Sequence, residues 1–415
     1  EYSGSSGEAM SLGERTPLAV ANAPASGRMA VGEALTNLLA APIELARVKL
    51  SCNWMAACGE PGEDAALYDT VKAIGMELCP ALGIGVPVGK DSLSMRTRWS
   101  DAGQAKVVTA PVSLIVSAFA TLDDVRPTLT PQLQGGDTTL ILIDLGQGQC
   151  RMAGSMLAQV VNQFGSQDQD GVPDLDDPAL LKSMIAAINQ LRAQGKLLAY
   201  HDRSDGGLWA TVCEMAFAGH MGVSLNVDML VTEGDGIQDS RADHGDAKNW
   251  AAQVGGRRAE LTLRALFNEE LGAVIQVRTE QRNEVMQTLR EFGLSRLSHF
   301  IGKPNDKQVV EVWRDAKAVF SASLMQLHQA WDEVSWRIGR LRDNPACADA
   351  EHAAARRTDD PGLHVQLSFD PLEAPALKLA RPKLAILREQ GVNSQVEMSY
   401  AMDRAGFDTF DVHMS

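Results

Sequence analysis

Seven consecutive residues, His201-Asp202-Arg203-Ser204-Asp205-Gly206-Gly207, gather two carboxylates, a hydroxyl and two glycines in one place. They follow an apolar run at 196–200 that reads as a buried strand, and precede an apolar run at 208–215 that reads as a helix. Glycines let a backbone approach a ligand closely, and the free N–H groups of a helix start favour phosphate. The carboxylates would repel that phosphate unless a hard cation such as magnesium, bound through oxygen, stood between them. The segment therefore points to a metal-bridged nucleotide. The competing reading is a strand-to-helix turn in which Asp and Ser merely cap the helix.

Two other places carry donors at suggestive spacing. In Gly32-Glu33-Ala34-Leu35-Thr36-Asn37, Glu33 and Asn37 stand at i and i+4 and share one helical face. That pair could supply half of a magnesium site, or be an ordinary solvated pair. The run Val88-Gly89-Lys90-Asp91-Ser92-Leu93-Ser94 reads as a turn that offers Lys90 and Ser92 to an anion, or as a plain connection. It lacks the Walker spacing, and its Lys is followed by Asp91, so it is not a P-loop.

These residues need elements to hold them. Helical periodicity places helices at 26–40 and 64–78, and the apolar run 107–120 reads as a strand. The chain punctuates at Gln134-Gly135-Gly136-Asp137, so a boundary belongs near 125–137. Beyond it, strands at 138–145, 196–200, 223–227 and 273–277, and two short ones ending near Trp313, alternate with helices at 151–161, 178–194 and 281–292. A further helix ends in Phe267-Asn268-Glu269-Glu270. This alternation predicts a mixed α/β domain. The polar stretch 232–258 reads as a surface insertion, 321–342 as a long amphipathic helix and 343–362 as a linker. Strand 383–388, loop 389–394, helix 395–405 and strand 408–413 then read as the opening β-loop-α-β of a doubly wound fold.

Composition narrows the class. The net charge is 38 − 53 = −15 with no long Lys/Arg run, which excludes a binder of nucleic-acid backbone but not of small phosphorylated ligands. The six cysteines are scattered without a CxxC pair and read as reduced thiols in a cytoplasmic protein. No stretch approaches the roughly 20 apolar residues that span a bilayer, and the first residues lack the pattern of a signal peptide. Both ends read as cut.

Six motifs, GEAMSLGERTPLA, VGEALTN, PVGKDSLSM, HDRSDGGL, LFNEELGAVIQV and PKLAILREQGVNSQVEM, occur in this order over almost the whole chain. Together they resemble the large, multidomain phosphoribosylformylglycinamidine synthases, or FGAR amidotransferases, of purine biosynthesis. The resemblance implies the second synthetase half of such an enzyme followed by the first strands of its glutaminase. It implies an α/β (α+β) fold like aminoimidazole ribonucleotide synthetase, then the start of a flavodoxin-like class I glutaminase. Expected domains are 1–130 (synthetase N-terminal type, start missing), 131–315 (synthetase C-terminal type), 316–380 (helix and linker) and 381–415 (glutaminase start).

The implied reaction takes FGAR, glutamine and ATP to the amidine, glutamate, ADP and phosphate. Carried over by motif, Glu33, Asn37 and Asp202 match magnesium ligands and Ser204 a nucleotide contact; a further ligand Asp lies upstream of residue 1. Lys90 and Ser92 match an element facing the substrate pocket formed with the first half. Cofactors are thus Mg2+ and ATP or ADP, the latter held without turnover in the second half. The partners are the small-molecule substrates and the missing first half and glutaminase domain, with neither nucleic acid nor membrane. No catalytic residue is assigned, because the glutaminase triad falls beyond Ser415. His413 is not its His, and Cys347 has neither an elbow turn nor a neighbouring base. Asn268-Glu269-Glu270 reads as structural or partner-facing and receives no role. The alternatives are a nucleotide-binding scaffold without turnover, or a related ATP-dependent synthetase of the aminoimidazole ribonucleotide or selenophosphate type; the glutaminase start speaks against the last.

Overall fold

The computed structural model describes residues 4–231, 247–357, 363–370 and 380–415, with backbone alone for 247–254. The chain divides into two compact units, one spanning Ser5–Arg356 and the other built on Arg357–Ser415.

The first unit opens with β1 (Gly7–Glu14), α1 (Ala23–Leu38), β2 (Lys49–Met55), α2 (Glu63–Lys72), α3 (Cys79–Leu82), β3 (Gly85–Ser92), β4 (Arg96–Asp101), β5 (Gln104–Thr109) and β6 (Ser113–Leu122). Four of the strands form a sheet in the order β1-β6-β2-β3, and β4 and β5 make a separate hairpin. Helix α1 starts three residues earlier than its periodicity predicts, because the Asn22 side chain accepts from the Ala25 N–H at 3.1 Å and Pro24 fits the first turn.

Strand β1 escapes hydrophobic alternation. Its large residues Met10 and Leu12 are exposed, while small residues face α1. The reason is proximity: Ser11 Oγ donates to the Ala34 carbonyl at 2.6 Å, and a Cβ on Gly13 would lie 2.1 Å from the Ala30 oxygen. The run 107–120 is not one strand. Pro111, which has no N–H to give, lies between β5 and β6. The predicted helix 64–78 is α2 followed by a π-helical turn, Ala73–Leu78, just before Pro80.

The unit continues with β7 (Thr138–Asp144), α4 (Met156–Val160), α5 (Pro178–Ala193), β8 (Ala199–Arg203), α6 (Gly207–Gly219), β9 (Gly222–Asn226), α7 (Ala247–Phe267), β10 (Gly272–Arg278), α8 (Arg282–Glu291), β11 (Ser298–Asn305), β12 (Val309–Arg314), β13 (Lys317–Ser323), α9 (Leu324–Arg342) and α10 (Pro345–Ala354). The sheet order is β13-β12-β9-β11-β7-β10-β8. Both faces of its centre are covered, and the alternation of β7 shows it. Ile141 and Ile143 join a core with Val31 and Leu35 of α1 and Ile185 and Ile188 of α5. Leu140 and Leu142 join the opposite core, with Leu208 and Val212 of α6. Helix α1 is therefore built into the sheet's core, and Tyr200 Oη donates across to the Thr36 carbonyl at 2.6 Å.

Helix 151–161 shrinks to α4, since Gly154 sits at φ +75° and breaks the run before it. Within 316–380 the structure adds strand β13 and helix α10, the latter capped by Asn344. Of the insertion read at 232–258, residues 232–246 lie outside the described residues; from 247 the backbone is helix α7.

The second unit holds β14 (Lys383–Arg388), α11 (Gln395–Arg404) and β15 (Asp408–His413), with β14 and β15 parallel. A parallel pair joined through a helix is the βαβ unit read from the sequence. The mixed α/β class stands. No helix among the described residues is long and apolar enough to cross a membrane.

Candidate functional site

The HDRSDGG segment is more strand than turn. His201, Asp202 and Arg203 pair with Val274, Ala273 and Gly272 of β10, so β8 carries their side chains to alternate faces. Tyr200 and Asp202 share the α1 face. His201 and Arg203 point the other way, the latter onto Asp144, which has the parity of Leu142. The chain then turns through Gly206 (φ +78°) and Gly207 (φ +65°), left-handed conformations that glycine adopts freely, and enters α6.

Glu33 faces Asp202 from α1. Burial pushes its carboxyl up to about 7. Arg15 and the Glu14 N–H, which donates to it at 2.9 Å, oppose that shift, while Asp205 and Asp202 add to it. Three carboxylates thus share one electrostatic neighbourhood, and burial makes Glu33 costly to ionise. Asn37 stands one turn further along α1, exposed, with no side-chain hydrogen bond among the described residues. Ser204 is half-buried; its carbonyl accepts from the Gly207 N–H at 3.0 Å and its hydroxyl makes no hydrogen bond among the described residues.

The structure places Lys90 and Ser92 elsewhere. The expected turn is strand β3, paired in parallel with β2 so that Lys90 lies beside Asn53 and Ser92 beside Met55. Both are exposed, and neither makes a hydrogen bond or ion pair with Glu33, Asp202, Ser204 or Asp205. Alternation of Val86, Val88 and Lys90 along an edge satisfies a strand as well as a turn, and β2 supplies the partner that local sequence cannot show.

The residues that lock the site include Glu269 and Glu270, which read from sequence as structural or partner-facing with no assigned role, and Arg15, which the sequence does not single out. Glu269 is 1% exposed. Its carboxylate accepts from Arg15 Nη2 at 2.6 Å, from the Met156 N–H at 2.8 Å and from the Gly206 N–H at 2.8 Å. One carboxylate therefore ties together the loop after β1, the start of α4 and the glycine turn. Burial pushes this carboxyl up, with Arg15 and the two N–H groups acting against that. Next to it, Glu270 accepts from Arg151 Nε at 2.7 Å and Nη2 at 2.8 Å. The signal was present in the sequence, for two consecutive acids between an apolar helix and an apolar strand are seldom left to water. Their use also changes the anion reading: the Gly206 N–H goes to Glu269 and the Gly207 N–H to Ser204, so neither glycine N–H is free for phosphate.

His201 contacts the Asp202 carbonyl through Nδ1 at 2.8 Å and Glu214 through Nε2 at 2.9 Å. Burial disfavours its charge, but the bonds to Asp202 and Glu214 outweigh that and push it up to about 10. Glu214 also accepts from Trp331 Nε1 at 3.1 Å, which links β8 through α6 to α9.

Family comparisons follow the same order along the chain. Residues 1–121 match the FGAR-AT PurM_N-like domain, residues 138–315 the C-terminal domain of AIR synthase related proteins, and residues 381–415 the CobB/CobQ-like glutamine amidotransferase domain. In this order the chain carries an FGAR-AT PurM_N-like domain, an AIR synthase-type C-terminal domain and a glutamine amidotransferase-type segment. The solved structure of Thermotoga maritima PurL complexed with FGAR is similar over 78% of this chain and 46% of its own, at 11% identity and a TM-score of 0.58. PurL from the same organism complexed with ATP is similar at 12% identity and a TM-score of 0.53, and complexed with ADP at 11% and 0.51; each covers 78% of this chain and 44% of its own. The chain thus spans less than half the length of these PurL structures, and at such identities the likeness shows the fold.

The sequence motifs imply a magnesium nucleotide, and that is the group to test against these residues. Among the described residues no three His, Cys, Asp or Glu side chains stand so as to hold a metal by themselves. The donors that do converge are hard oxygens, and the carboxyl held up near 7 is one that a cation would help to ionise. The donor set suits magnesium and is not complete among these carboxylates alone.

Proposed function

We propose that this chain supplies a nucleotide-holding synthetase region of an enzyme that converts FGAR, glutamine and ATP to the amidine, glutamate, ADP and phosphate in de novo purine synthesis. The observation that carries the reading is the electrostatic coupling of Glu33 on α1 to Asp205 and Asp202, 169 residues or more along the chain (202 − 33), with Asp202 on the face of β8 that α1 covers. Glu33 and Asp202, with Asn37, would hold magnesium, and the Ser204 hydroxyl would meet the nucleotide. Magnesium would screen the carboxylates from the phosphates and fix the charge of the pair. Glu269 and Arg15 keep the glycine turn and the loop after β1 in place beneath it. Lys90 and Ser92 would face substrate only where another element is brought against β3.

In this proposal the nucleotide is ADP, held as part of the fold rather than turned over, and the 415 residues alone perform no synthesis. The match of residues 381–415 to a glutamine amidotransferase domain favours the amidotransferase over a free-standing aminoimidazole ribonucleotide or selenophosphate synthetase. A cytoplasmic location follows from the pathway.

The test is nucleotide retention. The purified chain, denatured and resolved by anion exchange, should release ADP, and added MgADP should raise the melting temperature. A ligand at about 100 times its Kd adds about 2.7 kcal/mol to the folded state. Asp202→Asn should lose most of both effects. Absence of nucleotide together with no MgADP stabilisation, or an unchanged Asp202→Asn protein, would refute the assignment.

A further inference from the structure

A cavity of about 370 Å3 lies on the sheet face opposite the Glu33 and Asp202 cluster. Its walls come from the end of β7, the loop after it, α7 and the turn before β11. Leu142, Leu261 and Leu297 make one side apolar. Three guanidiniums, Arg203, Arg264 and Arg296, line it with a single carboxylate, Asp144. In a chain of net charge −15 this is a local excess of positive charge.

One pair of these charges, Arg203 with Asp144, is spent internally, whereas Arg264 and Arg296 make no pair with a lining residue among the described residues. Asp144 is already engaged by Arg203 and by the Gly146 and Gly148 N–H groups at 3.1 and 2.8 Å. Burial pushes its carboxyl up, but Arg203 and those N–H groups prevail and hold it below the usual carboxylate range. Arg203 uses Nε on the Glu270 carbonyl at 2.6 Å and Nη2 on Asp144 and Leu271, while Nη1 makes no hydrogen bond among the described residues. Among the described residues Arg264 pairs with exposed Glu260 at 3.0 Å and with Asp170 at 3.9 Å. Arg296 makes neither a hydrogen bond nor an ion pair among the described residues. The loop along the rim adds a second sign. Gln147 (φ +56°) and Cys150 (φ +49°) both sit in the left-handed region, a conformation that side-chain-bearing residues hold where the surroundings impose it, often at ligand sites.

We propose that this cavity is a binding site for a small organic phosphomonoester, its phosphate on Arg203, Arg264 and Arg296 and its apolar body against Leu142, Leu261 and Leu297. Guanidiniums from three segments suit the several oxygens of one phosphate, and the leucine wall distinguishes an ester from the free ion. The site is separate from the proposed nucleotide pocket, because Arg203 and Asp202 point to opposite faces of β8.

Calorimetric titration of the whole chain with phenyl phosphate, with phenol and inorganic phosphate as controls, tests this. Phenyl phosphate should bind more tightly than either control. Arg264→Ala with Arg296→Ala should weaken it by about a hundredfold or more, about tenfold for each guanidinium removed. The same double variant should bind MgADP as the parent does, which shows that it is folded and that the two sites are independent. Equal affinity for phenyl phosphate in parent and double variant, or no heat of binding in the parent, would overturn the proposal. So would inorganic phosphate binding as tightly as the ester.

Discussion

Glu269 does at the residue scale what no single ligand residue does: it accepts from three segments that are remote in sequence. Its removal leaves buried Arg15 with the longer contact to exposed Asp205 at 3.5 Å in place of its short buried pair, and two N–H groups without that acceptor. Glu269→Ala should therefore cost about 3–5 kcal/mol, read as a fall in the urea midpoint. Glu269→Gln, which keeps an acceptor for an N–H but loses the charge opposite Arg15, should fall between the alanine variant and the parent. His201 offers a pH signature. Its folded value of about 10 lies above its ordinary value near 6.5. The stabilisation it gives is fully present below about 6.5 and fades as pH rises towards 10. His201→Gln should accordingly lower the melting temperature clearly at pH 6, with the difference from the parent shrinking by pH 10. A difference that stays constant over that range would show that Glu214 and Asp202 do not hold the imidazolium.

Elements explain which parts of this protein could be read from its residues and which could not. Strands β7 and β10 at the centre of the large sheet were legible because covered strands are near-continuous apolar runs, whereas edge strand β13 was missed and β8 was read three residues early. Helix α1 and the pairing of β14 with β15 through α11 were legible for the same reason, a local period that the tertiary structure respects. Strand β1 was not, since its inward residues Ala9, Ser11 and Gly13 are small and its large ones face out. What decides that strand is the close approach of α1, a contact some twenty residues away in sequence. Gly13→Ala therefore tests the packing. With the Ala30 carbonyl in the way, the backbone itself must shift, and about 1–3 kcal/mol of stability should be lost. An alanine variant that melts with the parent would show that β1 and α1 are not held so close. In the site, the donors Glu33 and Asp202 were legible as motif residues, whereas Glu269 and Arg15 needed the fold to bring their segments together.

At the scale of the whole molecule, the sequence motifs divide the first unit into two family domains, yet its apolar side chains do not respect that division. Val31 and Leu35 of α1 lie in one core with Ile141, Ile143 and Ile275 of the seven-stranded sheet. Gly32 is pressed so near Leu271 that a Cβ there would come within 2.3 Å of it. Residues 5–122 produced alone should thus give a collapsed, dye-binding species without a cooperative melt, whereas residues 5–356 should unfold in a single transition. A sharp melt for the short piece would contradict the shared core.

That seam has a bearing on how the carboxylate cluster could respond to its surroundings. The helix that presents Glu33 is clamped on the side of Val31 and Leu35 by the very strands that present Asp202, so the two groups cannot drift apart without tearing a hydrocarbon interface. A cation arriving there would meet a preset gap rather than draw a loop closed around it, and its departure should leave the backbone almost where it was.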